Sequence, residues 1–169
     1  MKRTTHKLDK LYLGFDNGIT GTIGVCGNLY MCEQVKTPTF SEQNYTKAKG
    51  NVTRINTVEL LIYLKQLQKK GNLFAILERP MVNPGRFKAT ITAMRALEAT
   101  LGVLEQLSIP YQYIDSKEWQ KEMLPKGTKG SAELKKAGID IAKRLFPSVV
   151  CKPDADGILI AEWARRKQL

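Results

Sequence analysis

Three short apolar segments follow one another near the N-terminus, and turn-forming dipeptides separate them. The segments span residues 11–16, 20–26 and 29–35, with Asn17-Gly18 and Gly27-Asn28 between them. Dipeptides of this kind connect neighbouring antiparallel strands through tight turns. The sequence therefore predicts that the fold begins with a three-stranded antiparallel meander.

Helical and strand patterns alternate after the meander. Thr57 can cap a helix that runs to about Lys70. The apolar face of this helix is predicted to comprise Val58, Leu61, Ile62, Leu64 and Leu67. Residues 73–78 then form a continuous apolar run, as expected of a buried parallel strand. A second helix covers residues 87–107, where apolar side chains recur at spacings of three and four, namely Ile91, Met94, Leu97, Leu101 and Leu104.

The last third of the chain adds one strand and three helices. The strand is predicted at residues 111–114, and the helices near residues 116–123, 131–145 and 154–167. This order indicates an α/β fold with a five-stranded mixed sheet, three strands antiparallel and then two parallel, and helices on both faces. No repeat or linker divides the chain, so residues 1–169 are predicted to form one domain with a polar tail at residues 1–9.

Residues 36–54 are polar and are predicted to be irregular. They contain Pro38 and Gly50, and three basic residues, Lys47, Lys49 and Arg54, follow the last acid, Glu42. Long irregular segments in compact domains are often functional. A loop that faces DNA and a solvated flap without a role are equally compatible with this composition.

Charge indicates the kind of partner. The chain has 27 lysines and arginines against 16 acidic residues, a formal net charge of +11. Such an excess favours a polyanionic partner, most often nucleic acid, although a generally basic and soluble surface would give the same count. A hydrophobic content of 43% with 25% charged residues is typical of a globular protein and argues against wholesale disorder.

Cysteine and histidine usage argues against zinc. The three cysteines, Cys26, Cys32 and Cys151, form no CxxC pair, and His6 is the single histidine. We expect reduced thiols and a cytosolic setting. The start of the sequence, Met1-Lys2-Arg3, leads into polar residues, and no apolar run reaches about 18 residues. We therefore expect neither secretion nor a membrane span.

Acidic residues stand where predicted elements end or begin. Asp16 ends the first predicted strand, Glu78 ends the fourth, and Asp154 and Asp156 open the last helix. If the two strands are parallel neighbours, their carboxyl ends meet at one edge of the sheet. Carboxylates gathered there would repel one another and show raised pKa values unless a cation joined them. Mg²⁺ or Mn²⁺ suits this oxygen donor set, and two such ions can hydrolyse a phosphodiester.

Asp154 and Asp156 cannot share one side of a helix. Two residues apart, their side chains diverge by about 200° on an α-helix, so both reach one site only if Asp154 lies at the non-helical N-cap position. A role for Asp154 purely as a helix cap is an equal alternative. Gly157 lowers helix propensity and suggests that another backbone comes close at that point.

Three motifs in order resemble those of the RuvC-like Holliday junction resolvases, and most closely the short resolvase-like endonucleases of bacteriophages. They are the D-x-G-x-x-G opening at residues 16–21, the Glu-Arg-Pro phrase at residues 78–80, and the acidic helix start at residues 154–161. The resemblance implies a ribonuclease H-like fold and a Mg²⁺-dependent nuclease that acts on branched DNA in recombination and repair. It also implies a homodimer and two ions held by Asp16, Glu78, Asp154 and Asp156.

Basic residues near these motifs are candidates for binding DNA. No acid occurs between Arg79 and Leu97. The DNA-binding candidates are Arg79, Arg86, Phe87, Lys88, Arg95, Lys126 and Lys129. Family resemblance places lysines against the scissile phosphate, and by position these are Lys121 and either Lys135 or Lys136. For any one of these lysines, a solvated helix face is the alternative.

Two positions differ from the family pattern. Pro153 stands three residues before Asp156, where the family commonly has an acid, and Met81 and Val82 stand where the bacterial enzymes have an aromatic wedge. The first difference keeps a non-catalytic nucleic-acid-binding module as the alternative function. An ATPase of the sugar-kinase type, which shares the D-x-G-x-x-G loop, would need a second domain and a second phosphate loop.

Some apolar side chains have two possible roles. Met94, Leu97 and Leu101 either pack against the sheet or form a dimer contact. Trp119 and Trp163 are interpreted as packing residues.

Overall fold

The computed structural model describes residues 9–27, 31–45 and 47–169. Seven strands and five α-helices lie in this part of the chain. The strands are β1 Lys10–Phe15, β2 Thr22–Cys26, β3 Cys32–Lys36, β4 Thr39–Gln43, β5 Asn51–Ile55, β6 Asn72–Glu78 and β7 Tyr111–Ile114. The helices are α1 Thr57–Gln68, α2 Phe87–Gln106, α3 Ser116–Met123, α4 Ser131–Leu145 and α5 Asp156–Lys167.

The central sheet has five strands in the order β3-β2-β1-β6-β7. β1 pairs antiparallel with β2, and β2 with β3, which confirms the predicted meander. β1 and β6 are parallel neighbours, as are β6 and β7. The predicted mixed sheet is therefore confirmed, and β1 and β6 end at the same edge.

Helices cover both faces of this sheet, as predicted. One core contains Leu11, Leu13 and Leu77 from the sheet with the inner sides of α1 and α2. The other contains Tyr12 and Ile76 with α3, α4 and α5. Alternate residues of β1 point to opposite faces, so both cores share the same strand. Among the helices of the described residues, none is long and apolar enough to cross a membrane.

The prediction of an irregular segment at residues 36–54 is wrong. β4 and β5 form an antiparallel hairpin, with Thr39 opposite Ile55 and Gln43 opposite Asn51. The backbone N–H of Asn44 donates to the carbonyl of Gly50 at 2.7 Å and closes the loop at its tip. Most side chains of these strands are at least partly exposed, so the hairpin has no strong apolar alternation by which the sequence could reveal it.

The predicted apolar face of the first helix is confirmed at Leu64 and Leu67 and wrong at Val58 and Ile62. Leu60, Leu64 and Leu67 are buried, whereas Val58 and Ile62 are exposed. The cap is Asn56, whose side chain accepts the backbone N–H of Glu59, so the assignment of the cap to Thr57 is wrong by one residue. Asn and Thr both cap helices well, and local sequence could not separate them.

In α2 the apolar stripe is split along its length. Leu97, Leu101 and Leu104 are buried in the core, whereas Ile91 and Met94 are exposed. The predicted core face is therefore confirmed only in the second half of the helix.

Close backbone contact joins α5 to β1 and β2. A Cβ atom at Gly24 would lie 2.2 Å from the Cα of Ile158, and one at Gly14 would lie 2.2 Å from the carbonyl oxygen of Gly157. A Cβ at Gly157 would lie 2.8 Å from the backbone N of Gly24. The inference that a backbone approaches Gly157 closely is confirmed, and this contact sets the position of the start of α5.

Candidate metal centre

The first two acids of the site come from the parallel strand pair. Phe15 is opposite Leu77, so Asp16, directly after β1, lies beside Glu78 at the end of β6. The backbone N–H of Asp16 donates to the carbonyl of Thr22 at 3.0 Å, which fixes the turn that leads into β2. The sheet edge therefore brings together two carboxylates that are 62 positions apart in the sequence (78 − 16).

A small hydrogen-bond network on β2 and β3 fixes the start of α5. The Thr22 hydroxyl donates to Asp154 Oδ1 at 3.1 Å and accepts the N–H of Gly157 at 3.1 Å. The Gln34 side chain donates to the carbonyl of Asp154 at 2.8 Å and accepts the N–H of Ile158 at 3.0 Å. These contacts place the segment before the helix over the same sheet edge as Asp16.

Asp154 lies outside the helix, and this geometry lets two nearby acids converge. The helix begins at Asp156 and Ala155 is its N-cap residue, so Asp154 precedes the cap. Its Oδ1 also accepts the N–H of Asp156 at 3.3 Å. The expected placement of Asp154 at the N-cap is therefore wrong by one residue, although its carboxylate still accepts a backbone donor at the helix start and lies close to Asp16.

Three carboxylates form one compact group. Asp16, Asp154 and Asp156 each offer an oxygen, and these oxygens lie within 4.8 Å of one another. Glu78 stands beside this group, and its Oε2 accepts a hydrogen bond of 2.7 Å from the indole N–H of Trp119. Trp119 is fully buried, so it acts both as a packing residue and as a fixed donor that orients Glu78.

Burial and mutual repulsion raise the pKa values of the acids in this site. Burial, with the charges of Asp156, Glu78 and Asp154, raises the pKa of Asp16 to about 8. Burial and the charges of Asp154 and Glu78 raise the pKa of Asp156 to about 7. The pKa of Glu78 is also raised, mainly by burial, while the Trp119 hydrogen bond opposes the change. Unneutralised carboxylates are therefore costly here, and a cation would relieve the cost.

We expect the metal-free protein to lose stability as the pH rises from 5 to 8.5. The carboxyl groups of Asp16 and Asp156 hold their protons up to about pH 8 and 7 when folded, against an ordinary pKa of 3.8. The stabilisation is complete below pH 3.8, falls progressively as the pH rises above this value, and is fully lost once the pH has passed through 7 to 8. Thermal melts in EDTA should therefore show a falling midpoint, and Asp16→Asn should flatten the fall. An equal slope in both proteins would contradict the pKa assignment.

One lysine lies against the acidic group. Lys135 Nζ lies 3.5 Å from Asp154 Oδ2, and its charge lowers the pKa of Asp16 and Asp156. Lys136, the next residue, is exposed. The structure therefore separates two lysines that the sequence left as alternatives, and only Lys135 is brought to the acids.

A second group of lysines lines a basic pocket between α3 and α4. The pocket has a volume of about 440 Å³. Its basic lining residues are Lys117, Lys121, Lys126 and Lys129. The sequence predicted roles in the site or in DNA binding for three of these residues, Lys121, Lys126 and Lys129.

The basic run after Glu78 is divided between two surfaces. Arg79 forms an ion pair with Asp115 at 2.9 Å and lies against the ring of Tyr113. Arg86 lines a cavity of about 210 Å³ beside Glu78. Phe87 and Lys88 are exposed at the start of α2, and Arg95 is exposed two turns further on. Of these residues, Arg79 and Arg86 line the cavity that also contains Glu78, whereas Arg95 lines a separate groove.

The fold of this chain is similar to that of solved RuvC structures. RuvC from T. thermophilus, solved in complex with a Holliday junction substrate, aligns with a TM-score of 0.61 over 94% of this chain and 94% of its own, at 18% identity. A second structure of Thermus thermophilus RuvC aligns with a TM-score of 0.56 over 94% and 96%, at 17% identity. The chain has the RuvC fold. No protein-family model and no curated protein matches the sequence.

The residues of this RuvC fold fit a divalent metal. The donors are hard carboxylate oxygens, three of them within 4.8 Å of one another, and this is the ligand chemistry of Mg²⁺ and Mn²⁺. Repulsion within the group supplies a driving force for binding a cation. Asp16, Asp154 and Asp156 would hold such an ion, with Glu78 on the adjacent side.

Three contacts that shape the site were not predicted from the sequence. Trp119 orients Glu78, and Thr22 and Gln34 anchor the start of α5. Each partner lies more than 40 residues away in the sequence: 41 for Trp119 and Glu78, 132 for Thr22 and Asp154, and 120 for Gln34 and Asp154. Polar residues inside strands are the available clue, since Thr22 is fully buried and needs a partner.

Proposed function

We propose that the protein is a Mg²⁺-dependent endonuclease that hydrolyses phosphodiester bonds in branched DNA. The observation that carries the proposal is the convergence of Asp16, Glu78, Asp154 and Asp156 at one sheet edge of a chain with net charge +11. The RuvC fold supports the same reading, because one of the aligned RuvC structures holds a Holliday junction substrate. Mn²⁺ is expected to replace Mg²⁺ in activity.

The chain's own residues have distinct parts in this chemistry. The carboxylates would hold two ions, and bound ions would polarise the phosphate and lower the pKa of an attacking water. Trp119 keeps Glu78 in one orientation, and Thr22 and Gln34 keep α5 in register with β1. No histidine lies in the described residues, so acid–base chemistry by imidazole is absent from this part of the chain.

The position of Asp154 supports a catalytic function for the protein over the alternative of a non-catalytic nucleic-acid-binding module. The family position of the fourth acid is occupied by Pro153, but Asp154 joins Asp16 and Asp156 in the compact group. The fourth acid of the proposed ligand set is thus Asp154, one residue after the position where the family commonly has it. We propose a homodimer that presents two such sites to a four-way junction, as the resemblance implies.

A cleavage panel tests the proposed function. Labelled four-way junctions, forks, flaps and linear duplexes are incubated with Mg²⁺, and nick positions are mapped. We expect cleavage of branched substrates with paired, symmetric nicks across the junction, and none in EDTA. Binding to the junction without nicks in Mg²⁺ or Mn²⁺ would support the non-catalytic module instead.

Replacing Lys135 should affect cleavage more than replacing its neighbour. Lys135→Gln removes the cation 3.5 Å from Asp154, whereas Lys136→Gln removes the same charge from an exposed position. We expect a loss of cleavage rate of about tenfold or more for Lys135→Gln, because a charge at the reacting phosphate is lost. Single-turnover rates on a four-way junction measure this. Equal cleavage rates for the two variants would contradict a role of Lys135 in the reaction.

A further inference from the structure

Two of the three cysteines face each other across the outermost pair of strands in the antiparallel half of the central sheet. Cys26, the last residue of β2, is directly opposite Cys32, the first residue of β3. Side chains of directly opposed residues project from the same face of a sheet. That face carries α5, because Cys26 belongs to the core beneath this helix and Cys32 packs against it. Two thiols from different strands therefore lie side by side under α5.

The backbone pairing at this point has the spacing that a disulfide requires. The N–H of Gly27 donates to the carbonyl of Met31 at 2.8 Å, and these two residues are the next opposed pair after the cysteines. Hydrogen-bonded and non-hydrogen-bonded pairs alternate along an antiparallel ladder, so Cys26 and Cys32 form a non-hydrogen-bonded pair. The Cα atoms of such a pair are about 4.5 Å apart, within the range of roughly 4.4–6.8 Å that disulfides span. A disulfide can therefore form here without separating the strands.

The two thiols differ in access and in acidity. Cys26 is fully buried, and its Sγ donates to the carbonyl of Ile158 in α5 at 3.8 Å. Cys32 is half-buried on the edge strand. The hydrogen bond between the thiols lowers the pKa of Cys32 and, together with burial, raises the pKa of Cys26. The nearby charges of Glu162 and Arg165 act on Cys32 in opposite directions. Oxidants attack partly accessible thiols of lowered pKa, and a neighbouring thiol can resolve the product.

The strand β3 is held in the sheet from one side. In the described part of the chain it is an end strand of the central sheet and pairs with β2. Its Gln34 donates to the carbonyl of Asp154 and accepts the N–H of Ile158. Elements with exposed edges and few buried side chains open more readily than central strands. Opening of β3 would therefore release the start of α5.

We propose that Cys26 and Cys32 are a peroxide-oxidisable pair whose disulfide fastens β3, and with it the start of α5, to β2. The Cys32 thiolate attacks one oxygen of hydrogen peroxide, and the O–O bond breaks. The products are the Cys32 sulfenic acid and hydroxide, which takes up a proton to become water. The Cys26 sulfur then attacks the sulfenic sulfur, and the S–O bond breaks as hydroxide leaves with the Cys26 proton as a second water. Two thiols thus lose two electrons, and one peroxide is reduced to two waters.

Peroxide treatment of the full chain tests the proposal, and no nuclease activity is needed for it. Treated and untreated protein is unfolded in an alkylating reagent, and peptide mass spectrometry counts the free thiols and maps any disulfide. Dimedone, which traps sulfenic acids, is added to a parallel sample. Thermal melts and amide hydrogen exchange are recorded in EDTA on the same preparations.

Three serine variants separate the parts of the two cysteines. Cys26→Ser and Cys32→Ser each remove one thiol of the pair. Cys151→Ser is the matched control, because Cys151 is also buried but its Sγ donates to the nearby carbonyl of Val149. A thermal melt of each untreated variant confirms that it is folded.

We expect peroxide to join Cys26 to Cys32 within one chain, in the unchanged protein and in Cys151→Ser, and dithiothreitol to reverse the bond. Cys26→Ser should stop at a dimedone adduct on Cys32, and Cys32→Ser should leave the buried Cys26 thiol free. Oxidation of the unchanged protein should raise the melting midpoint by about 4 °C or more, because a cross-link restricts the unfolded chain. It should also slow amide exchange in residues 32–36 and at the start of α5. Neither variant of the pair should show these shifts.

Any of three results in the unchanged protein would overturn the inference, whether or not a variant folds. The first is a pair of thiols that both stay free in peroxide. The second is a disulfide from Cys32 to Cys151, or to a second chain, in place of the bond to Cys26. Either result would show that the two thiols do not meet across β2 and β3. The third is the expected disulfide without a change in melting midpoint or in exchange of residues 32–36, which would show that the bond does not fasten the edge strand.

Discussion

Asp16→Asn should lower the rate of junction cleavage by about three orders of magnitude while leaving DNA binding intact or improved. Asp16 is the strand-end member of the carboxylate group, and its loss removes a ligand and one negative charge facing the phosphate backbone. Burial, together with repulsion from the other acids, raises the pKa of Asp16 to about 8, so the neutral amide should also stabilise the metal-free fold. Single-turnover cleavage, anisotropy in EDTA and thermal melts measure the three effects.

Asp140→Asn is the matched control for this change. Asp140 is exposed on α4 and its replacement alters the net charge by the same amount. We expect nearly unchanged cleavage and stability in this variant. Full cleavage by Asp16→Asn, or an equal loss of cleavage rate in both variants, would contradict the proposed metal mechanism.

Gly24→Ala should destabilise the protein by more than about 3 kcal/mol and abolish cleavage with it. The new methyl group would lie 2.2 Å from the Cα and N of Ile158, and backbone atoms of a packed helix cannot move aside as a side chain does. Relief requires α5 to shift away from β2, and this breaks the contacts of Thr22 and Gln34 that hold Asp154 and Asp156 near Asp16. Urea denaturation and cleavage assays test the two effects.

Gly102→Ala serves as the control for the glycine effect. Gly102 lies in α2, and a Cβ atom there would have no atom within 4 Å apart from its chain neighbours and the adjacent backbone of its own helix. Alanine favours a helix over glycine, so this variant should be more stable by about 0.5–1 kcal/mol. A Gly24→Ala protein as stable as Gly102→Ala would show that α5 does not press against β2 as the structure has it.

The β-hairpin shows where local pattern stops being informative. Turn dipeptides and continuous apolar runs predicted the central strands correctly, because buried strands need apolar residues and tight turns need glycine or asparagine. β4 and β5 pack little of their surface, and their pairing rests on backbone hydrogen bonds that any sequence can make. Composition therefore indicated an irregular segment where the chain forms a β-hairpin.

The sequence by itself determined the mixed sheet, the helix order and which acids stand at the ends of elements, because these depend on local turn chemistry and periodicity. Only the tertiary structure decided that Asp154 joins Asp16 and Asp156, that Lys135 and not Lys136 reaches them, and that Trp119 orients Glu78. Each of these contacts joins residues at least 19 positions apart, as with Lys135 and Asp154, or lies at a helix start fixed by β2 and β3. Their geometry follows from how α5 packs on the sheet through Gly14, Gly24 and Gly157, and a linear pattern carries no record of that packing.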